Sequence, residues 1–312
     1  MKAAPAPIEV RVGIFLNAVP EVDLQANNFT FDAYVWFVWN PETWPPPSVG
    51  GTDEARKSPA ETFEIVQSSG LESNVVFARD GYICMQLKGK RLSFWDVRDY
   101  PFDRQYLEIV IEDSSFDSTE VRYVPDIANS GVMPGLRVAG ALTSAPQIVV
   151  ADYAYPTNFG DPEVKSGAAT NYSRLTFTLP IVRDGMGVFF KLFTALFVST
   201  LMALLALFIN PTQLDPRFGL CVGGLFGTVA SSYAVSSVLP DASGLCYADK
   251  LHVAALLCIF LTVAESAYSL SLHLKHGAGG AALAKRLDRI TFLVITGGYL
   301  VTVTVLTMQL RA

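Results

Sequence analysis

Between Gly185 and Ile209 the chain runs without any ionisable side chain except Lys191. At about 20 residues per crossing, that stretch is long enough to span a bilayer. Three further apolar segments follow, so four membrane helices are expected at about 185–209, 215–239, 248–274 and 285–310, with short polar joints between them. The overall composition, 51% hydrophobic and 17% charged, excludes an ordinary soluble protein and a disordered one. The charge is also uneven. Met1 to Arg183 holds 15 Lys/Arg against 23 Asp/Glu, whereas Asp184 to Ala312 holds 8 against 6. A polar, acidic domain over 1–183 and a membrane domain over 184–312 are therefore expected.

Net acidity without basic clusters argues against nucleic acid as a partner. Of the four cysteines, only Cys84 lies in the polar part, so that domain cannot close a disulfide on itself and must be held by a core. No charged n-region, apolar h-region and cleavage site precede Ile8, so an exported domain is expected to have had its signal peptide removed.

The N-terminal part reads as strands. Val10, Val12, Ile14 and Leu16 alternate with Arg11, Gly13, Phe15 and Asn17. Phe29, Phe31, Ala33, Val35, Phe37 and Trp39 do the same in the next run, the period of two that turns one face inward. Further runs at Ser73–Phe77, Tyr82–Leu87, Leu107–Glu112, Gln147–Tyr155 and Tyr172–Val182, with Asp80-Gly81 as a hairpin signal, predict an antiparallel β-sandwich. Pro41–Gly51 and Gly160–Thr170 are expected on exposed loops.

Lys275, Lys285, Arg286 and Arg289 crowd the joint between the third and fourth apolar segments, while the joint after the second offers Asp241, Asp249 and Lys250. By the positive-inside rule the basic joint is cytoplasmic and the β domain lies outside. Asn210-Pro211 and Leu239-Pro240 are expected to end the first two helices. The second segment carries a stripe at steps of three and four: Asp215, Gly219, Gly223, Phe226, Ala230, Tyr233 and Ser237. Its glycines each cost roughly 1 kcal/mol of helix propensity relative to alanine. Two readings account for them. Gly219, Gly223 and Gly227 could let a neighbouring helix approach closely, or the stripe could line a pore with Asp215 as a ring of carboxylates and Phe226 as a hydrophobic constriction.

Tyr100-Pro101-Phe102-Asp103, within Asp96–Gln105, resembles the tip of the signature loop of pentameric ligand-gated ion channels, the Cys-loop receptor superfamily. Val10–Trp39 resembles that family's first two strands, with Val22-Asp23 in the joining loop, and the order of β domain, four helices and Leu239-Pro240 agrees. Ser93 and Leu107 stand where animal members place the loop cysteines, and the joint after the third helix is very short, so the likeness is to the prokaryotic branch. The resemblance implies an immunoglobulin-like extracellular sandwich of about ten strands followed by a four-helix transmembrane bundle. It also implies a homopentamer in the bacterial inner membrane, with the N-terminal domain periplasmic, that conducts ions when an agonist binds.

The same resemblance places Asp23, Tyr100, Pro101, Phe102, Asp103, Arg183 and Pro240 at a gating interface, where two carboxylates around one guanidinium form a bistable joint. It places a ligand site at Tyr34, Phe116, Tyr155, Phe159 and Tyr172. An aromatic box suits a cationic amine, although aromatics on alternating strand positions also serve as core. No cofactor is expected. Calcium could modulate an acidic outer domain, though no acid cluster has a diagnostic spacing, so any metal ligands stay unknown.

Five copies of Asp215 favour cations, while Arg217, two residues on, opposes them, and Pro216-Arg217 resembles the Pro-Ala-Arg insertion of the family's anion channels without its alanine. Cation conduction is the reading adopted. Glu265, inside the third helix, is a candidate proton sensor or a partner for a hydroxyl such as Ser266 of an adjacent subunit. His252 is expected among lipid headgroups, and Cys221 and Cys258 as packed hydrophobes. A pentameric sensor that never conducts is an alternative. So is a membrane-tethered enzyme using a carboxylate pair, although with His252, His273 and His276 all outside the β domain, a Ser-His-Asp triad or His-ligated zinc there is excluded.

Overall fold

The computed structural model describes residues 6–46, 58–160, 169–240 and 244–310, without the side chains of 276–279. Much of the loops expected at Pro41–Gly51 and Gly160–Thr170 lies outside the described residues, as does Asp241. The chain divides into two compact units, Met1–Trp95 with Arg104–Val182, and Asp96–Asp103 with Arg183–Ala312.

Among its described residues the first unit holds twelve strands and one short helix: β1 (Ile8–Ala18), β2 (Val22–Asp23), β3 (Asn28–Val38), α1 (Pro59–Thr62), β4 (Phe63–Ile65), β5 (Ser68–Arg79), β6 (Tyr82–Leu92), β7 (Arg104–Asp113), β8 (Val121–Pro125), β9 (Gly131–Val132), β10 (Ala141–Thr143), β11 (Gln147–Tyr155) and β12 (Thr170–Arg183). One sheet runs β5-β6-β3-β1-β8, with β2 on β3 and β9 on β1; the other runs β10-β12-β7-β4, with β11 on β12. Alternation decides which face is buried. Phe29, Phe31, Ala33, Val35 and Phe37 of β3 are buried, as are Leu175, Phe177, Leu179 and Ile181 of β12, and the intervening residues are not.

The β5–β6 hairpin turns at Asp80-Gly81, where Arg79 pairs with Tyr82 and Gly81 takes the positive φ of 75° that such a turn requires. Gly13 of β1 lies under the Trp36 ring, and a Cβ there would come within 2.2 Å of its carbons. The indole Nε1 then reaches Asp126 Oδ2 at 3.0 Å. The parallel pairing of β1 with β8 and β9 has no local signal, because it joins segments more than a hundred residues apart.

The second unit is helical: α2 (Gly185–Leu205) with a 3-10 turn at Ala206–Phe208, α3 (Leu214–Ser236) and α4 (Tyr247–Gln309). Both α2 and α3 end before their prolines, Pro211 and Pro240, which lack the N–H that would continue the ladder. Among the described residues four helical segments are long and apolar enough to cross a membrane: Gly185–Phe208, Leu214–Ser236, Tyr247–Lys275 and Gly280–Gln309. The chain is thus a β-rich unit with a multi-pass membrane unit.

Helical backbone is assigned without interruption from Tyr247 to Gln309, yet it holds two separate spans, Tyr247–Lys275 and Gly280–Gln309, where a third and a fourth membrane helix are expected at 248–274 and 285–310. No proline between the two spans stops the ladder. A straight helix of that length would extend about 95 Å at 1.5 Å per residue, yet the hydroxyls of Tyr247 and Thr307 meet at 3.0 Å. The helix therefore reverses between its spans, and Leu204, Cys258 and Ile295 pack together as a core of α2 and both spans of α4.

Candidate functional site

The face of α3 that meets its own chain is Arg217, Cys221, Gly224, Thr228, Ser231 and Val235, all buried. The opposite stripe, Asp215, Gly219, Gly223, Phe226, Ala230, Tyr233 and Ser237, is exposed along its whole length. The glycines divide accordingly. A Cβ at Gly224 would meet Ser199 O at 2.7 Å and Ala203 Cβ at 3.0 Å, and one at Gly227 would meet Ser199 Oγ at 2.1 Å. Gly224 and Gly227 therefore set the close approach to α2. At Gly219 nothing lies within 4 Å, and at Gly223 only Met202 Cε at 4.0 Å, so these two do not serve packing within the chain. The second span of α4 exposes large apolar groups instead, among them Leu293, Val294, Leu300, Val301, Val305 and Met308. That surface suits lipid tails, whereas the α3 stripe pairs the exposed rings of Phe226 and Tyr233 with two glycines, an alanine, a serine and a carboxylate, a less favourable set for lipid.

At the start of α2 the loop Asp96–Asp103 packs within the second unit. Arg183 Nε donates to Asp103 Oδ1 at 2.8 Å, the guanidinium carbon stands 5.2 Å from the Tyr100 ring centroid, and Asp103 is 3% exposed. Gly185 admits the loop: a Cβ there would lie 2.5 Å from the Phe102 ring and 2.6 Å from Pro101 O. Phe102 is then flanked by Phe189 of α2 and Tyr247 of α4, and Tyr247 N donates to Arg98 O at 2.8 Å. Pro240, just beyond α3, lines a small cavity with Val97 of this loop and Asp249 of α4. Asp23 belongs to the first unit, where its carboxylate accepts from Ala26 N at 2.9 Å and its carbonyl from Trp95 Nε1 at 3.0 Å.

In the first unit Tyr155, Phe159 and Tyr172 come together edge to face, with centroids 5.5 to 6.4 Å apart. With Glu64, Glu112, Asp113 and Ser114 they line a cavity of about 440 Å³. Strand register brings the acids there, since Glu112 of β7 pairs with Arg174 of β12 on one side and Glu64 of β4 on the other. Arg174 forms an ion pair with Glu112 and lies 3.5 Å over the Tyr153 ring, and Tyr155 Oη donates to Glu112 Oε2 at 2.8 Å. Burial and the Glu112 carboxylate push the Tyr155 hydroxyl up to about 12. Asp113 accepts from Thr62 Oγ1 and from the backbone N–H of Ser115 and Phe116, but burial outweighs these bonds and its carboxyl is pushed up to about 6. Phe159 holds a positive φ of 52°, a strained position for a bulky residue, and is 63% exposed.

Phe116 does not join this group. It is 3% exposed and packs edge-on against Trp44, so the expectation that it contacts ligand gives way to a core role. Tyr34 stands half-buried on β3 in the other sheet, opposite Phe15 and Gln86.

Three further expectations change in the membrane unit. Arg217 does not oppose Asp215. It is 0% exposed on the opposite face, where its NH2 group reaches Asp288 Oδ1 at 2.7 Å and Glu265 Oε2 at 3.0 Å, and its Nε reaches Ser266 Oγ at 3.0 Å. Glu265 is thereby paired within its own chain, and Ser266 serves the guanidinium. His252, expected among headgroups, is 3% exposed, because Ser231 Oγ at 3.1 Å and Ala248 O at 2.8 Å give both ring nitrogens buried partners. Cys221 and Cys258 are buried. Among the described residues no group of three or more His, Cys, Asp or Glu side chains is arranged to hold a metal ion.

No protein-family model matches the chain, and neither does any curated protein.

Proposed function

We propose that the chain is one subunit of a homopentameric ligand-gated ion channel of the prokaryotic Cys-loop receptor type, with its β unit an immunoglobulin-like sandwich outside the bacterial inner membrane. The observation that carries this reading is the α3 stripe from Asp215 to Ser237. It is exposed along a helix long and apolar enough to cross a membrane, small or polar at five of its seven positions, and backed by a buried opposite face. Arranged about a fivefold axis, such stripes enclose a lumen with Asp215 at one mouth and Phe226 and Tyr233 as constrictions. The burial of Arg217 strengthens the reading of cation conduction, since it leaves the Asp215 carboxylates unopposed on that face.

The agonist is a cationic amine held by Tyr155, Phe159 and Tyr172 above the acids of the same cavity. Binding is passed to the membrane unit through the loop Asp96–Asp103, continuous in sequence with β6 and β7 and clamped to Arg183. Recording from the purified protein in a planar bilayer under a salt gradient tests the proposal. Unitary currents evoked by amines, with reversal potentials following the cation gradient, are expected. Currents that follow chloride would overturn the selectivity, and silence across a panel of amines and pH values would overturn the channel.

A further inference from the structure

An amine that enters the aromatic cavity of the β unit meets two acids whose oxygens are already bonded. Asp113 accepts from Thr62 Oγ1 through one oxygen and from the Ser115 and Phe116 N–H groups through the other. Glu112, whose side chain is 2% exposed, is filled in the same way, with Arg174 Nε donating to Oε1 and Tyr155 Oη donating to Oε2. Glu64 is an exposed acid at the margin of the lining.

Arg174 is held as a ligand cation would be. Its guanidinium carbon stands 3.5 Å from the Tyr153 ring centroid and 5.9 Å from that of Tyr155, Nη2 donates to Tyr155 Oη at 3.0 Å, and Nε pairs with the buried carboxylate. Strand register sets this up. Arg174 of β12 lies opposite Glu112 of β7 on one side and opposite Ala151 of β11 on the other, two residues from Tyr153 on the same face. An amine and the guanidinium on one carboxylate would bring like charges together. Arg174 also has a way out: its side chain is 19% exposed and Tyr153 beneath it is 44% exposed, so the guanidinium sits at the rim of the fold.

We propose that Arg174 is a tethered competitor for the agonist, occupying Glu112 in the empty site and exchanging with the ligand's cation on binding. The exchange rests on the amine reading of this cavity. The site accepts ligand in the fraction of molecules whose Arg174 has swung out, and the apparent dissociation constant rises by the inverse of that fraction. Exchange also selects for N–H donors, because Glu112 and Tyr155 Oη lose hydrogen bonds when Arg174 leaves and a quaternary ammonium restores none.

Ligand-observed NMR titration of n-butylamine and of tetramethylammonium with the purified full chain tests the proposal. Arg174→Gln is expected to bind n-butylamine about tenfold more tightly than the parent, the gain if Arg174 stands aside in about one molecule in ten. Arg174→Lys, which keeps a tethered cation, stays near the parent, and methylguanidinium added to Arg174→Gln returns its apparent affinity toward the parent's. Tyr153→Leu removes the ring under the guanidinium from outside the cavity lining, so it should tighten n-butylamine too, and it decides the matter if Arg174→Gln does not fold. Variants that bind n-butylamine no more tightly than the parent would overturn the exchange and leave the amine site standing. Tetramethylammonium binding the parent as tightly as n-butylamine would overturn the donor requirement. Absence of n-butylamine binding in parent and variants alike would overturn the amine reading itself, and the exchange with it.

Discussion

Replacing Arg217 by methionine removes a guanidinium that makes hydrogen bonds to Glu265, Asp288 and Ser266 from a fully buried position. Methionine fills similar space, so the loss is electrostatic and not a cavity. Two carboxylates, 9% and 3% exposed by residue, are left without their cation. Breaking a buried pair in this way typically costs about 3–5 kcal/mol, and a second stranded carboxylate puts the expected loss at the upper end of that range. Arg217→Lys should recover only part of it, since one ammonium cannot reproduce the planar fork that reaches three partners. The informative variant adds Glu265→Gln and Asp288→Asn to Arg217→Met. With the charges gone, most of the lost stability should return, and the comparison isolates the coupling from side-chain volume. Thermal unfolding of the purified protein in detergent, followed by size-exclusion recovery, reads all four proteins. A single variant that melts with the parent, or a triple variant no better than the single, would refute the reasoning.

Arg183→Ala should leave the assembled protein intact by size exclusion but abolish agonist-evoked current; parent-like currents would contradict the coupling role given to the Asp103 pair. Asp113, raised from 3.8 to about 6, takes up a proton on folding between about pH 4 and 6, so its contribution makes the protein less stable as pH rises through that window and flat above it. Asp113→Asn, whose amide can still serve Thr62 and the two backbone N–H groups, should flatten that slope in unfolding measurements, and an unchanged slope would refute the assignment. Gly224→Ala should lower the melting temperature because its methyl meets Ser199 O and Ala203 Cβ, whereas Gly219→Ala, with open space around it, should leave folding of the chain unharmed.

What could be read in advance follows from how local each signal is. The faces of β3 and β12 and the Asp80-Gly81 turn are written in alternation and turn chemistry, and the extents of α2 and α3 in apolar length and proline. The two spans of α4 are legible in the same way, because polar residues separate two apolar runs, while the helical backbone that joins them is not, since no proline there ends the ladder. The stripe of α3 was legible, but the partition of its glycines was not, since which of Gly219, Gly223, Gly224 and Gly227 meets α2 depends on the crossing of two helices. For the same reason the burial of Arg217 has no local signal: its partners Glu265 and Asp288 lie 48 and 71 residues away. In the aromatic cavity, Tyr155, Phe159 and Tyr172 stood out by residue type, while Glu112, Asp113 and Arg174 join them only through the register of β4, β7 and β12.

The central claim, that the α3 stripe lines an ion pathway, is tested most directly by thiol accessibility during recording. The four native cysteines are buried, so an introduced thiol can be read against a quiet background. Ala230→Cys and Ser237→Cys, on the stripe, should change single-channel conductance when a charged, water-soluble thiol reagent is applied to the open channel. Val301→Cys, on the apolar face of α4, should not. Stripe positions that stay silent, or a reagent that acts equally at Val301→Cys, would contradict the account.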